Sequence, residues 1–132
     1  MAITPSKSRT LPAPLAHRLV IRIDLASGAR IGPGKVALLE EIARSGSISA
    51  AGRSLRMSYR RAWELVEDLN AHLGTPVVAT AAGGAGGGGA RLTEAGHAVV
   101  NAYRALSEAA ETAAAGHLAE LERLVPAVPP AA

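Results

Sequence analysis

Five arginines, Arg44, Arg53, Arg56, Arg60 and Arg61, fall within residues 42–61, a segment that contains no Asp or Glu. A guanidinium stays charged at any physiological pH and presents a planar fork. It grips a phosphate, or O6 and N7 of guanine, through two parallel hydrogen bonds. The chemistry such residues offer is the holding of a polyanion rather than the making of bonds. Ser58 and Tyr59 directly precede the Arg60-Arg61 pair and add hydroxyl donors, and Ser47 and Ser49 add two more upstream. Glu64 stands four residues after Arg60, where it can pair with that guanidinium or accept from a cytosine amine. A purely solvated face is the competing reading, and five cations without an acid at a helix start count against it.

Bond-making chemistry finds no constellation. The chain has no cysteine, which excludes a disulfide scaffold, thiolate metal sites and a cysteine nucleophile. His17, His72, His97 and His117 are scattered, and no pair has metal-ligand spacing on one helix. Gly84, Gly86 and Gly89 satisfy G-x-G-x-x-G, but that fingerprint works between a parallel strand and a helix. Here Ala90-Arg91-Leu92 intervenes, and a tract so rich in glycine matches by chance. The run from Gly28 to Gly34-Lys35 is one residue too long for a phosphate-binding Walker loop, and Val36 stands where Ser or Thr would bind magnesium. The reading is of a protein that is not an enzyme.

The cationic segment needs a scaffold, and hydrophobic periodicity supplies one. Leu19, Ile21, Ile23 and Leu25 alternate with more polar neighbours and predict a strand with one buried face, followed by a turn at Ser27-Gly28-Ala29-Arg30. Val36, Leu39 and Ile42, widened by Leu38 and Ala43, predict a helix from about Pro33 to Arg44 that ends at Ser45-Gly46. Ser47 then reads as the N-cap of a short helix with Ile48, Ala51 and Leu55 on one stripe. Ser58 reads as the N-cap of a longer one whose buried face is Ala62, Val66, Leu69 and Leu73. Ala50 and Ala51 are expected where these two helices cross, and Trp63 is expected to pack.

Two helices a few residues apart are a helix-turn-helix. Next comes a hairpin, with one strand over Pro76-Val77-Val78-Ala79-Thr80, a glycine-rich tip and a second strand over Ala90-Arg91-Leu92. Thr93 caps a last helix, whose Val99, Tyr103, Leu106, Ala110, Ala113, His117, Leu121 and Leu124 form a seam suited to a second helix, with an expected interruption at Gly116. Helix-turn-helix followed by hairpin is the order of a winged helix-turn-helix, in which the second helix enters the major groove of DNA and the hairpin reaches the adjacent backbone or minor groove.

With 132 residues, 48% apolar and 19% charged, the composition suits one small soluble domain. The net charge of +3 is unevenly placed. Residues 1–93 carry twelve bases and six acids, whereas residues 94–132 carry only Arg104 and Arg123 against five acids. No stretch reaches the roughly 18 apolar residues of a membrane span, and the N-terminus lacks the apolar core of a signal peptide. A cytoplasmic location without membrane contact is therefore expected.

Four pieces together resemble the N-terminal domain of the ModE-type molybdate-dependent transcriptional regulators: Gly32-Pro33-Gly34-Lys35, Gly46-Ser47-Ile48-Ser49-Ala50-Ala51, Met57-Ser58-Tyr59-Arg60-Arg61-Ala62-Trp63, and the run from Gly83 to Gly96. The second piece also resembles LysR-type regulators. The resemblance spans about residues 18–110. It implies a homodimeric winged helix on a palindromic operator, with Ser58, Tyr59, Arg60 and Arg61 on the recognition helix and residues 83–91 on the wing. Relatives that sense molybdate do so with additional C-terminal domains, for which residues up to Ala132 leave no room, so no cofactor is expected in this chain. Ala85 stands where some relatives carry a basic wing residue, leaving Arg91 as the only charge there.

The expected fold is thus α+β and mainly helical, a winged helix-turn-helix with a Gly-rich β-hairpin wing and a long C-terminal dimerisation helix. Residues 1–17 and 126–132 are expected as flexible tails, 18–93 as the DNA-binding domain and 94–125 as the linker and dimerisation helix. The expected contacts to double-stranded DNA are Ser47, Ser49, Arg53, Arg56, Ser58, Tyr59, Arg60, Arg61, Glu64, Gly86, Gly87, Gly88 and Arg91. The alternative is an interaction module that pairs with a full-length regulator through its acidic last helix and binds no DNA.

Overall fold

A computed structural model of the chain describes residues 17–81 and 89–126. The order of elements is β1 (Ile23–Asp24), β2 (Arg30–Ile31), α1 (Pro33–Ser45), α2 (Ile48–Ser54), α3 (Tyr59–Leu73), β3 (Val78–Thr80), β4 (Ala90–Leu92) and α4 (Glu94–Leu124). Both sheets are two-stranded and antiparallel, β1 with β2 and β3 with β4. This is the α+β, mainly helical winged helix-turn-helix that the residue pattern predicts.

The described residues form two compact units. Residues 20–107 make one, and residues 17–19 with 108–126 make the other. In the second unit, His17 Nε2 lies 3.3 Å from Glu111 Oε1.

In the larger unit α1 is the central post. Pro33 starts it with its φ already helical, and Gly46 ends it in the left-handed region at φ 75°, donating its N–H to the Ile42 carbonyl. Val36, Leu38, Leu39 and Ile42 are fully shielded from solvent. They meet Ile48 and Ala51 of α2, Ala62, Val66 and Leu69 of α3, Val78 and Leu92 of the hairpin, and Tyr103 of α4 in one core. Side chains of this size each contribute about 1.5–3 kcal/mol on leaving water, so apolar burial is the main hold on the post. Ala43, expected on the same face, is exposed instead, because the buried arc is centred on the Leu38-Leu39 pair. Leu73 is only half-buried, at the last position of α3.

The helix-turn-helix is tight for a specific reason. Gly52, not Ala50, occupies the α2–α3 crossing, where a Cβ would stand 3.2 Å from Ala62 Cβ and 3.5 Å from the Met57 carbonyl oxygen. Ala51 is buried as expected, while Ala50 is only partly covered. Between the helices Arg56 adopts φ 60°, a left-handed conformation that a non-glycine residue takes only at a cost. That turn lets Met57 N–H reach the Gly52 carbonyl at 2.9 Å.

The first strand is much shorter than its alternation predicts. Only the pairs Ile23 with Ile31 and Asp24 with Arg30 form a ladder, and Leu25 is 41% exposed. Residues upstream are held differently, through the Tyr103 hydroxyl, which donates to the Ile21 carbonyl at 2.6 Å. Arg30, expected in the turn, is the first residue of β2. In the wing, Pro76 and Val77 precede the strand, and the register runs Val78 with Leu92, Ala79 with Arg91 and Thr80 with Ala90.

Thr93 caps α4 as expected, its Oγ1 accepting from Gly96 N–H at 3.0 Å. The helix is continuous through Gly116, so the expected interruption is absent. Flanking residues are Ala and Leu-rich helix formers, which outweigh one glycine. Of the expected seam, Tyr103 is buried in the domain core, whereas Leu121 and Leu124 are 59% and 74% exposed. No described helix is long and apolar enough to cross a membrane.

Candidate nucleic-acid interface

Two serine caps build the site from the backbone up. Ser47 Oγ accepts from Ala50 N–H at 3.0 Å, and Ser58 Oγ accepts from Arg61 N–H at 3.0 Å. Each cap satisfies one orphan amide of its helix, and each hydroxyl keeps its own proton to donate elsewhere. Ser49 Oγ accepts from Arg53 Nη1 at 2.9 Å, which orients that guanidinium along α2.

Ser58 places Tyr59, Arg60 and Arg61 in the first turn of α3, with Arg60 opposite the face that buries Ala62, Val66 and Leu69. The Arg60 side chain is 89% exposed and Arg61 60%. Glu64 stands between them, with carboxylate oxygens 3.7 Å from Arg60 Nε and 3.8 Å from Arg61 Nη1. These separations exceed a hydrogen bond, so the forks are steered by Glu64 without being consumed by it. Tyr59 and Trp63 meet edge to face, with ring centroids 6.2 Å apart and planes at 78°.

The acid-free run of sequence is not acid-free in space. Arg44 Nη2 donates to Glu41 at 2.6 Å, and Ser54 Oγ donates to the same carboxylate at 3.0 Å. The Arg44 hydrogen bond, helped by Ser54, holds the Glu41 carboxyl below its ordinary pKa. Arg44 is thereby spent on its own helix, and the exposed cations of the helix-turn-helix are Arg53, Arg56, Arg60 and Arg61. A helix repeat brings Glu41 and Arg44 together at i, i+3, a pairing that counting charges in a window overlooks.

Sequence reasoning also overlooked three basic residues. Arg22, Arg30 and Lys35 line one open concavity of about 1060 Å3 together with Arg61, Glu64 and Asp68. Lys35 is committed to structure there, donating from Nζ to Asp68 Oδ2 at 2.5 Å and to the Arg30 carbonyl at 2.9 Å. That hydrogen bond holds the Asp68 carboxyl below its ordinary pKa. Arg22 forks onto Asp24 at 2.9 and 3.1 Å. Nothing in the linear order joins residues 22 and 30 to residue 61; only the β1–β2 hairpin does so.

Of the wing, Arg91 is exposed on β4 and faces Ala79 across the ladder. Gly86, Gly87 and Gly88 lie outside the described residues. The wing root is fastened to the helix-turn-helix, since Ala90 N–H donates to the carbonyl of Gly46, immediately before the α2 cap, at 2.9 Å. Among the described residues, no three His, Asp or Glu side chains gather as metal ligands.

A short helix, a capped recognition helix with a basic first turn and a two-stranded wing define the molecule as a winged helix-turn-helix domain. Residues 34–97 match the family described as bacterial regulatory helix-turn-helix protein, lysR family, and this part of the chain is similar to helix-turn-helix domains of that type. Its curated relatives include the molybdenum-pterin-binding protein MopB of Rhodobacter capsulatus, 51% identical over 80 residues that cover 61% of this chain and 30% of that protein. MopA of the same organism is 42% identical over 98 residues, covering 74% and 37%. The DNA-binding transcriptional dual regulator ModE of Escherichia coli K12 is 37% identical over 90 residues, covering 68% and 34%. The chain thus spans about a third of the length of the curated relatives it matches. Among solved structures, the DNA-binding domain of CbnR in its DNA complex shares the fold at TM-score 0.52 and 24% identity, covering 67% of this chain and 95% of that one.

Proposed function

We propose that the chain is a sequence-specific DNA-binding transcription regulator, with residues 18–93 contacting the duplex and residues 94–125 serving as linker and dimerisation helix. The observation that carries this reading is the first turn of α3, where Arg60 and Arg61 are free of hydrogen-bonded carboxylates and point away from the core. A recognition helix meets base edges with its N-terminal residues, and an Arg fork there reads guanine or holds phosphate. Ser47, Ser49 and Ser58 retain hydroxyl protons for phosphate oxygens, and Arg53, Arg56 and Arg91 add positive charge on the same domain. Relatives named as transcription regulators support the role, and those named for molybdenum support a link to molybdenum metabolism. The exposed Leu121 and Leu124 on α4 support pairing as a homodimer, for which a palindromic operator is the matching site and cytoplasmic action the matching location.

Fluorescence-anisotropy titration against duplex DNA at several salt concentrations tests the reading. Arg60→Ala and Arg61→Ala should each weaken the preferred duplex by about 1–3 kcal/mol if the fork reads a base. Each should weaken all duplexes evenly, with a shallower salt slope, if it holds phosphate. Wild-type affinity in the double variant would refute the role. Sedimentation of Leu121→Glu/Leu124→Glu tests the dimer, which should dissociate; no change in mass would refute the seam.

A further inference from the structure

Tyr59 is the aromatic residue that packing does not account for. It sits at the first position of α3 yet is 58% exposed, while the helix buries Ala62, Val66 and Leu69. Its ring is braced edge-on by Trp63, one turn later, and Trp63 is itself packed against the core. The brace removes much of the freedom that an exposed aromatic side chain would otherwise lose on binding.

Beside the two rings lies a recess of about 180 Å3, shared with Ser47, Ser49, Thr80 and Ala90. Among the described residues it has no charged side chain in its lining. Ser47 and Ser49 already accept hydrogen bonds there, from Ala50 N–H and from Arg53. Hydroxyls as well as cations can donate to phosphate oxygens, and on this domain the cations lie elsewhere, on Arg60, Arg61 and Arg91. The recess takes its hydroxyls from Ser47, Ser49 and Thr80, and its apolar surface includes the rings of Tyr59 and Trp63, which suit an uncharged, apolar group.

In an unmodified duplex, the apolar group on the major-groove edge of the bases is the 5-methyl of thymine. We infer that Tyr59, held by Trp63, is a specificity-determining residue that reads a thymine methyl next to the bases or phosphates met by Arg60 and Arg61, a role that rests on the duplex-binding reading above. The ring face rather than the hydroxyl makes the contact, so Phe should serve as well as Tyr.

The test uses the whole chain. Duplexes preferred by the wild type are first selected from a random library, and each thymine of the preferred duplex is then replaced singly by deoxyuridine. This exchange deletes one methyl and leaves every hydrogen-bonding group in place. With the wild type and with Tyr59→Phe, one or two positions should lose about three- to five-fold in affinity, the worth of a buried methyl. With Tyr59→Ala, those same positions should become indifferent to deoxyuridine. The exposure of Tyr59 leaves folding of both variants intact, and thermal unfolding checks it. Deoxyuridine silent at every position, or still costly in Tyr59→Ala, overturns the inference while leaving DNA binding in place. Tyr59→Phe falling with Tyr59→Ala, with deoxyuridine silent, assigns the hydroxyl to phosphate or sugar and overturns it equally. Failure to enrich any duplex overturns the DNA-binding reading itself, and this role with it.

Discussion

Gly96, in the first turn of α4, passes so close beneath Val77 that a Cβ on it would stand 2.1 Å from the Val77 carbonyl oxygen. Thr93 N–H donates to that same oxygen at 3.0 Å, so neither backbone can retreat without breaking the helix cap from the wing root. Gly96→Ala should therefore destabilise the domain by about 2–4 kcal/mol, within the range of overpacked sites. Gly116, in the same helix with nothing within 4 Å of its Cβ position, is the control. Gly116→Ala should stabilise by about 0.5–1 kcal/mol through helix propensity. Denaturant unfolding of both variants measures the contrast; equal effects would refute the close-approach explanation.

Arg56 carries both strain and charge. Replacing it with glycine relieves the left-handed backbone at φ 60° and should raise stability by about 0.5–1 kcal/mol. The same change deletes a cation from the helix-turn-helix and should lower affinity for any duplex, with a salt slope smaller by about one phosphate contact. Thermal unfolding and salt-dependent anisotropy would then move in opposite directions.

Glu64 stands within 3.8 Å of both recognition-helix guanidiniums without a hydrogen bond to either. Removing its charge by Glu64→Gln should strengthen binding to random duplex at low salt by several-fold, the worth of about 1 kcal/mol of exposed electrostatics. Discrimination between preferred and random duplex should narrow, since a carboxylate near the groove repels indiscriminate phosphate contact. Unchanged binding to random DNA would place Glu64 away from the duplex.

Arg104 ties α4 to α1 by donating from Nε and Nη2 to both oxygens of Glu40, at 2.9 and 2.5 Å. That fork holds the Glu40 carboxyl below its ordinary pKa. A carboxylate with a lowered folded-state pKa contributes in full above its unfolded value, about 4.3, and loses the contribution as pH falls through the folded value. The pair is more than a third exposed, so its worth is at most about 1 kcal/mol. Glu40→Gln should lower stability by that amount at pH 7 and by progressively less as the pH falls below about 4. A gap between wild type and variant that persists at pH 2.5 would contradict the linkage.

Much of this fold was legible because its helices carry strong local signals. Ser47, Ser58 and Thr93 cap where expected, and Gly46 ends α1, since caps act within one turn of chain. The recognition-helix face was equally clear from Ala62, Val66 and Leu69. What escaped were relationships between distant residues. The alternation over residues 19–25 announces a strand, yet Ile21 is held by Tyr103 and the ladder shrinks to two pairs. The Gly52–Ala62 crossing depends on a turn made by Arg56, and no propensity scale favours arginine in a left-handed conformation. Likewise Arg22 and Arg30 join the surface of Arg61 through tertiary structure alone. Pairing of Arg44 with Glu41 was a local signal that went unweighed, because the acid lay one residue outside the window.

The hydrogen bond from Ala90 to Gly46, with that from Ala81 N–H to the Gly89 carbonyl, means that the two strand ends flanking residues 82–88 are fixed together beside α2. A segment of different length or chemistry grafted between Ala81 and Gly89 would start and finish at the same two points, with α3 untouched. What joins those two points is thereby open to exchange by design without re-engineering the part that carries Arg60 and Arg61.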